Sequence, residues 1–156
     1  MIMSIIVKDQ ATIIAEIVKL ISEGHTVTIT AKGYSMNPFI VHMKDEITLG
    51  PWEDHMIRKG AVVLVKDNRG MFVLHRIISR KGDHIRLMGD GNIGITEDAS
   101  TKNIIGLMTA VTNKGRTYKT EGLTWRLYSW FWQMITPMKR YPLALWRRLH
   151  PQQPLR

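Results

Sequence analysis

Ala61-Val62-Val63-Leu64-Val65-Lys66-Asp67-Asn68-Arg69-Gly70-Met71-Phe72-Val73-Leu74-His75-Arg76-Ile77-Ile78 is the stretch that decides the fold class. Two runs rich in Val, Leu and Ile flank Asp67-Asn68-Arg69-Gly70, four residues of the kind that reverse a chain, so the segment predicts a β-hairpin. The same rhythm continues outward in both directions. Before the hairpin, Thr26-Val27-Thr28-Ile29-Thr30-Ala31 alternates polar and small or apolar residues and is nearly all β-branched, and Ile47 and Leu49 alternate in a shorter run. After it, Lys81-Gly82-Asp83 reverses the chain into His84–Met88, and a further apolar run, Ile104–Thr112, ends at Asn113-Lys114-Gly115. Short strands at near-regular spacing predict a mainly β fold with flanking helices, built on a bent sheet or partial barrel.

Two helical segments frame this β body. Residues 9–23 carry Ile13, Ile14, Ile17, Val18, Leu20 and Ile21 as an apolar stripe, with Asp9 placed to cap the start and Gly24 to stop the helix. At the other end, Thr124 to Met134 has helical periodicity with Thr124 as its expected cap. Pro137 and Pro142 interrupt the pattern, and Tyr141 to His150 suits a second short helix. Charge divides the chain in the same place. The 156 residues carry a net charge of +9, of which residues 114–156 supply nine basic side chains against the single acid Glu121. Four of the five Trp lie in that segment too. The expected organisation is therefore a near-neutral body over 1–113 and a basic, aromatic helical segment over 114–156.

Composition removes several chemistries. With no Cys there is no disulfide framework, no thiolate metal site and no cysteine nucleophile. No cofactor or metal is expected. The apolar opening Met1–Val7 stops at Lys8, which is too short for a signal-peptide core, and no window approaches the ~20 apolar residues of a membrane span. The expectation is a cytoplasmic protein.

Three short segments could carry chemistry. Gly33-Tyr34-Ser35-Met36-Asn37-Pro38 follows the Thr-rich strand directly, where a serine hydroxyl can stand exposed on rigid support. A serine needs a base within reach to act as a nucleophile, and most serines in turns only serve the turn. His75 interrupts an apolar strand and is followed by Arg76; it could be a general base or a strand histidine bonded to a carbonyl. In Met88-Gly89-Asp90-Gly91-Asn92 two glycines frame an aspartate that could orient an imidazole, although such a segment is more often a plain turn.

Together, in this order and spacing, the three segments resemble the signal peptidase I / LexA-type superfamily of serine peptidases. They are closest to its Ser–His branch, the endoplasmic-reticulum, archaeal and sporulation-type signal peptidases. That branch has a Ser-Met-x-Pro box, matched by Ser35-Met36-Asn37-Pro38, and a His-Arg strand, matched forty residues on by Leu74-His75-Arg76-Ile77. Its Gly-Asp loop is matched by Gly89-Asp90-Gly91-Asn92, and Lys59–Leu64 is similar to a further strand of the family. The likeness covers roughly residues 26–112.

The resemblance implies a coiled β-sheet of the signal peptidase–LexA type and a peptide or protein substrate bound as an added strand. It implies Ser35 as nucleophile, His75 as base and Asp90 as orienting acid, with Glu97 or Asp98 as a second acid. Gly33, Met36, Pro38 and Arg76 fall in the substrate and oxyanion region. This chain has Gly60-Ala61 where the family usually has Gly-Asp, and Gly33 where signal peptidases often carry a second serine. A lysine base, as in the superfamily's other branch, would have to come from Lys59, Lys66 or Lys81.

Two functions of different class follow: a serine endopeptidase acting on a leader-like or other protein segment, or a catalytically silent member of the fold that binds peptides or a partner protein. For the basic aromatic segment, residues 120–149 fit packing on the body, a protein partner or an anionic membrane surface; no recognised motif supports nucleic-acid binding. Trp125, Tyr128 and Trp132, at i, i+3 and i+7, are expected on one helix face.

Overall fold

The computed structural model describes residues 10–151. Helix α1 (Gln10–Ser22) leads into β1 (Val27–Thr30), β2 (Glu46–Gly50) and the expected hairpin, β3 (Val62–Lys66) with β4 (Phe72–Lys81). Then come β5 (His84–Met88), β6 (Glu97–Ser100), β7 (Ile104–Asn113) and β8 (Arg116–Lys119), and finally α2 (Leu123–Met134) and α3 (Arg140–Leu149). All eight strands form one antiparallel sheet in the order β1-β2-β7-β3-β4-β5-β6, with β8 paired to β7. Strand β7 holds the sheet together: β2 runs along one side, while β3 takes the first half of the other side and β8 the second. Register shifts at Thr48/Leu49, Leu64/Val65 and Ile77/Ser79 bend the strands, and the sheet curls into a half-barrel.

Both faces of the central strands are buried, so β3 reads as a continuous apolar run rather than an alternating one. Val62 and Leu64 join one cluster, with Ile17 and Ile21 of α1, Leu49, Met108 and Trp125 of α2. Val63 and Val65 join the other, with Ile77, Ile85, Leu87 and Ala99. Gly106 gives α1 room where it crosses β7: a Cβ there would lie 2.6 Å from Ile21 Cδ1, so the end of that side chain would have to shift.

Several expectations change. Val18, assigned to the α1 stripe, is 45% exposed, and the stripe narrows to Ile13, Ile14, Ile17 and Ile21. The proposed cap Asp9 lies outside the described residues. Thr124 does not cap α2; the N-cap is Gly122, with no side-chain cap. Pro142 sits in the first turn of α3 and does not interrupt it, since a first-turn residue has no intrahelical N–H bond to lose. The division at residue 113 is not a structural break: β8 extends the same sheet, and Trp125 is part of the same core as α1. No described helix is long and apolar enough to cross a membrane.

Candidate active site

Neighbouring residues on a strand point to opposite faces, and β4 uses this to build two separate buried clusters from His75 and Arg76. His75 lies on the face of Val73 and Ile77; its Nδ1 is 2.7 Å from Glu97 Oε2, at the start of β6. Both side chains are 5% exposed. The other Glu97 oxygen lies 3.9 Å from the Arg69 guanidinium in the β3–β4 turn. That turn is held by Asp67, whose carboxylate accepts from the backbone N–H groups of Arg69 and Met71 and from Arg69 Nε and Nη2. Burial works to raise the Asp67 pKa, but these donors outweigh it and hold the carboxyl below its ordinary value.

Arg76 projects to the opposite face and meets Asp90. The pair is bidentate, Nε to Oδ1 at 2.8 Å and Nη2 to Oδ2 at 2.7 Å, while Nη1 donates to the Gly60 carbonyl and to Ser129 Oγ. The guanidinium lies over the rings of Trp125 and Tyr128. Burial works to lower its pKa; the adjacent Asp90 carboxylate more than offsets this and raises it. Tyr128 donates to Asp90 Oδ2 at 2.9 Å, and burial, then the Asp90 charge, push that phenol well above its ordinary value.

The expected neighbours are therefore regrouped. Asp90 does not contact His75: it is on the other face of β4, engaged by Arg76 and Tyr128. The carboxylate beside His75 is that of Glu97. Asp98, its neighbour, points outward to Arg86 and His84. Arg76, expected near substrate, is 2% exposed and committed to the ion pair. Met36 is buried too, its sulfur 3.5 Å from the Asp90 N–H. Gly33 has φ +100°, and its N–H donates to His42 Nδ1 at 2.7 Å, so that donor is already used. The Asn37–Pro38 bond is cis.

Ser35 reaches this region through the Gly89–Gly91 loop. Its carbonyl accepts from the Gly91 N–H at 2.7 Å. A Cβ on Gly89 would collide with that carbonyl and lie 3.0 Å from Ser35 Cβ. Arg76 is the cross-strand partner of Met88, so Gly89 leaves β5 at the level of His75, and directly opposed residues share a face. Ser35 therefore packs on the loop that leaves β5 just past the partner of Arg76. Among the described residues no hydrogen bond joins the Ser35 hydroxyl to the imidazole; the His75 bond is the one to Glu97.

The C-terminal helices hold the same loop from behind. Lys139 Nζ lies 3.3 Å from the Gly89 carbonyl, Trp132 Nε1 donates to that of Asp90 at 3.1 Å, and Arg147 Nη2 to that of Gly91 at 2.9 Å. Three consecutive carbonyls are each met by a different tail residue. Trp125 and Trp132 are buried and Tyr128 half-buried on the expected shared face; Lys139 and Arg147 carried no sequence signal beyond charge.

No protein-family model matches the chain, and no curated protein or solved structure matches it significantly.

Proposed function

We propose that this chain is a serine peptidase in which Ser35 attacks, His75 is the general base and Glu97 orients it, on a curled sheet of the signal peptidase–LexA type. The observation that carries the reading is the buried 2.7 Å contact between His75 Nδ1 and Glu97 Oε2. A carboxylate there accepts from Nδ1–H, which leaves Nε2 as the nitrogen free to take a proton. Ser35 Oγ bonds to the scissile carbonyl carbon as its proton passes to Nε2. The C–N bond then breaks, the leaving amine takes that proton, and a water repeats the sequence to release the acyl group. Backbone N–H groups of the Ser35 turn would meet the oxyanion. The substrate, a leader-like or other protein segment, binds as an extended strand along the sheet. Catalytic hydrogen bonds often tighten only when substrate is bound, which accounts for an unformed Ser35–His75 bond.

The absence of that bond, with His75 only 4% exposed, also favours a second reading, a silent peptide-binding member of the same fold. A peptidyl diaryl phosphonate, which activated serines attack at phosphorus with loss of a phenoxide, separates the two. The peptidase reading expects covalent labelling of the wild type at Ser35, none in Ser35→Ala, and labelling slowed at least a hundredfold in His75→Ala. A wild type that binds the peptide moiety yet is never labelled would leave binding as the function.

A further inference from the structure

The outer faces of α2 and α3 carry an unusual surface. Nine of the fifteen exposed large hydrophobic side chains among the described residues lie between Leu123 and Leu149. On α2 they are Leu123, Leu127, Trp130, Phe131 and Met134, at i, i+4, i+7, i+8 and i+11, a single stripe. It runs opposite the buried face of Trp125, Ser129 and Trp132. On α3, Tyr141, Leu145 and Leu149 at i, i+4 and i+8 repeat the pattern opposite buried Leu143. The inner faces of both helices grip the same Gly89–Gly91 loop, so both stripes look away from the body.

The charge around the stripes selects the occupant. Arg126, Arg140 and Arg148 are exposed beside them, and Glu121 is the single acid from residue 114 onward. Lys59 extends the cationic rim: with Trp130, Gln133 and Met134 it lines an open hollow of about 290 Å³ at the edge of the α2 stripe. A second copy of this chain would bring the same positive surface against itself. An apolar layer beneath a negatively charged skin supplies both things the surface lacks, and Trp and Tyr favour that boundary. We propose that the outer faces of α2 and α3 bind an anionic lipid surface, with the apolar stripes entering the headgroup boundary and the arginines meeting lipid phosphates.

This inference is independent of catalysis at Ser35, and its test uses the full chain with Ser35→Ala as a control for that independence. Co-sedimentation is measured with vesicles of phosphatidylcholine alone and of phosphatidylcholine with one quarter phosphatidylglycerol. Binding is expected only to the anionic vesicles, equally for wild type and Ser35→Ala. At about 1 kcal/mol for each cation near such a surface, Arg126→Gln/Arg140→Gln/Arg148→Gln together lowers the partition coefficient about a hundredfold. Leu127→Ser/Phe131→Ser/Leu145→Ser, all at exposed positions, abolishes pelleting while leaving the thermal transition in place. No pelleting of the wild type at low salt overturns the proposal. So does pelleting that survives the serine substitutions, which marks plain charge attraction, or a lipid-free dimer in sedimentation velocity that those substitutions dissociate, which marks a second copy as the occupant.

Discussion

Asp90 and Glu97 stand seven residues apart and are both buried, yet they meet different faces of β4, because His75 and Arg76 project in opposite directions. Their replacement should fail in different ways. Asp90→Asn leaves the Arg76 charge buried without its counter-ion, which costs about 3 kcal/mol in urea unfolding. Glu97→Gln keeps the shape and removes the charge that, in the proposed mechanism, fixes the His75 tautomer. It should lower kcat about 10²–10⁴-fold with a small change in stability. Loss of turnover in Asp90→Asn at unchanged stability, with Glu97→Gln active, would return the orienting role to Asp90. Ser35 and His75 were singled out by the resemblance of their motifs, and the structure pairs His75 with Glu97. That resemblance pointed to Asp90 as the acid beside His75, with Glu97 or Asp98 second, whereas the structure puts Glu97 there, since the pairing depends on which strand face each residue meets, and that is set by partners far along the chain.

Elements with strong periodicity or turn chemistry were legible to within a residue or two: the α1 helix, β3, β5, β7 and both tail helices, while β4 runs three residues past the expected end at Ile78. Strand β6, Glu97-Asp98-Ala99-Ser100, was not, because acidic residues and alanine have low strand preference and its extended form comes from pairing with β5. Strand β8 was hidden likewise under charge, its form imposed by β7. The Gly89–Gly91 loop shows what a turn signal conceals. It read as a reversal, and its glycines in fact clear space for backbone: a Cβ on Gly91 would lie 2.6 Å from the Tyr34 carbonyl, and one on Gly89 would strike that of Ser35. Gly89→Ala must push the Ser35 turn away from the loop. Since a displacement of about 1 Å at a reacting atom can cost a hundredfold, phosphonate labelling of Ser35 should slow by about that factor. Labelling at the wild-type rate in a folded Gly89→Ala protein would show that the loop does not position the nucleophile.

At the scale of the whole molecule, the basic tail and the near-neutral body are one unit, joined where the tail closes over the Gly89–Gly91 loop against which Ser35 packs. Composition showed two halves because charge records which faces meet solvent, whereas the contacts that unite the halves run through a few buried groups. Lys139 is the most exposed to test. It is the tail's buried lysine, 3% accessible, with Nζ near Met88 Sδ and the Gly89 carbonyl. Burial lowers its pKa below 10.5; the Asp90 carboxylate works against that, and the Arg76 charge adds to it. A lysine whose folded value is depressed burdens the fold most when both states are protonated. As pH rises from the folded value toward the unfolded one, the unfolded chain holds the proton longer, so the burden lifts and the contribution to stability rises with pH. Lys139→Met removes this dependence while keeping most of the apolar stem. The stability of the wild type relative to Lys139→Met, from urea melts between pH 7 and pH 10.5, should therefore shift steadily in favour of the wild type. Tyr128 titrates in both proteins, so its own loss of stability above pH 10 largely cancels in the difference. A difference that stays flat over this range, or moves toward the variant, would mean that the Lys139 ammonium keeps its solvent and that the tail does not close over the loop as described.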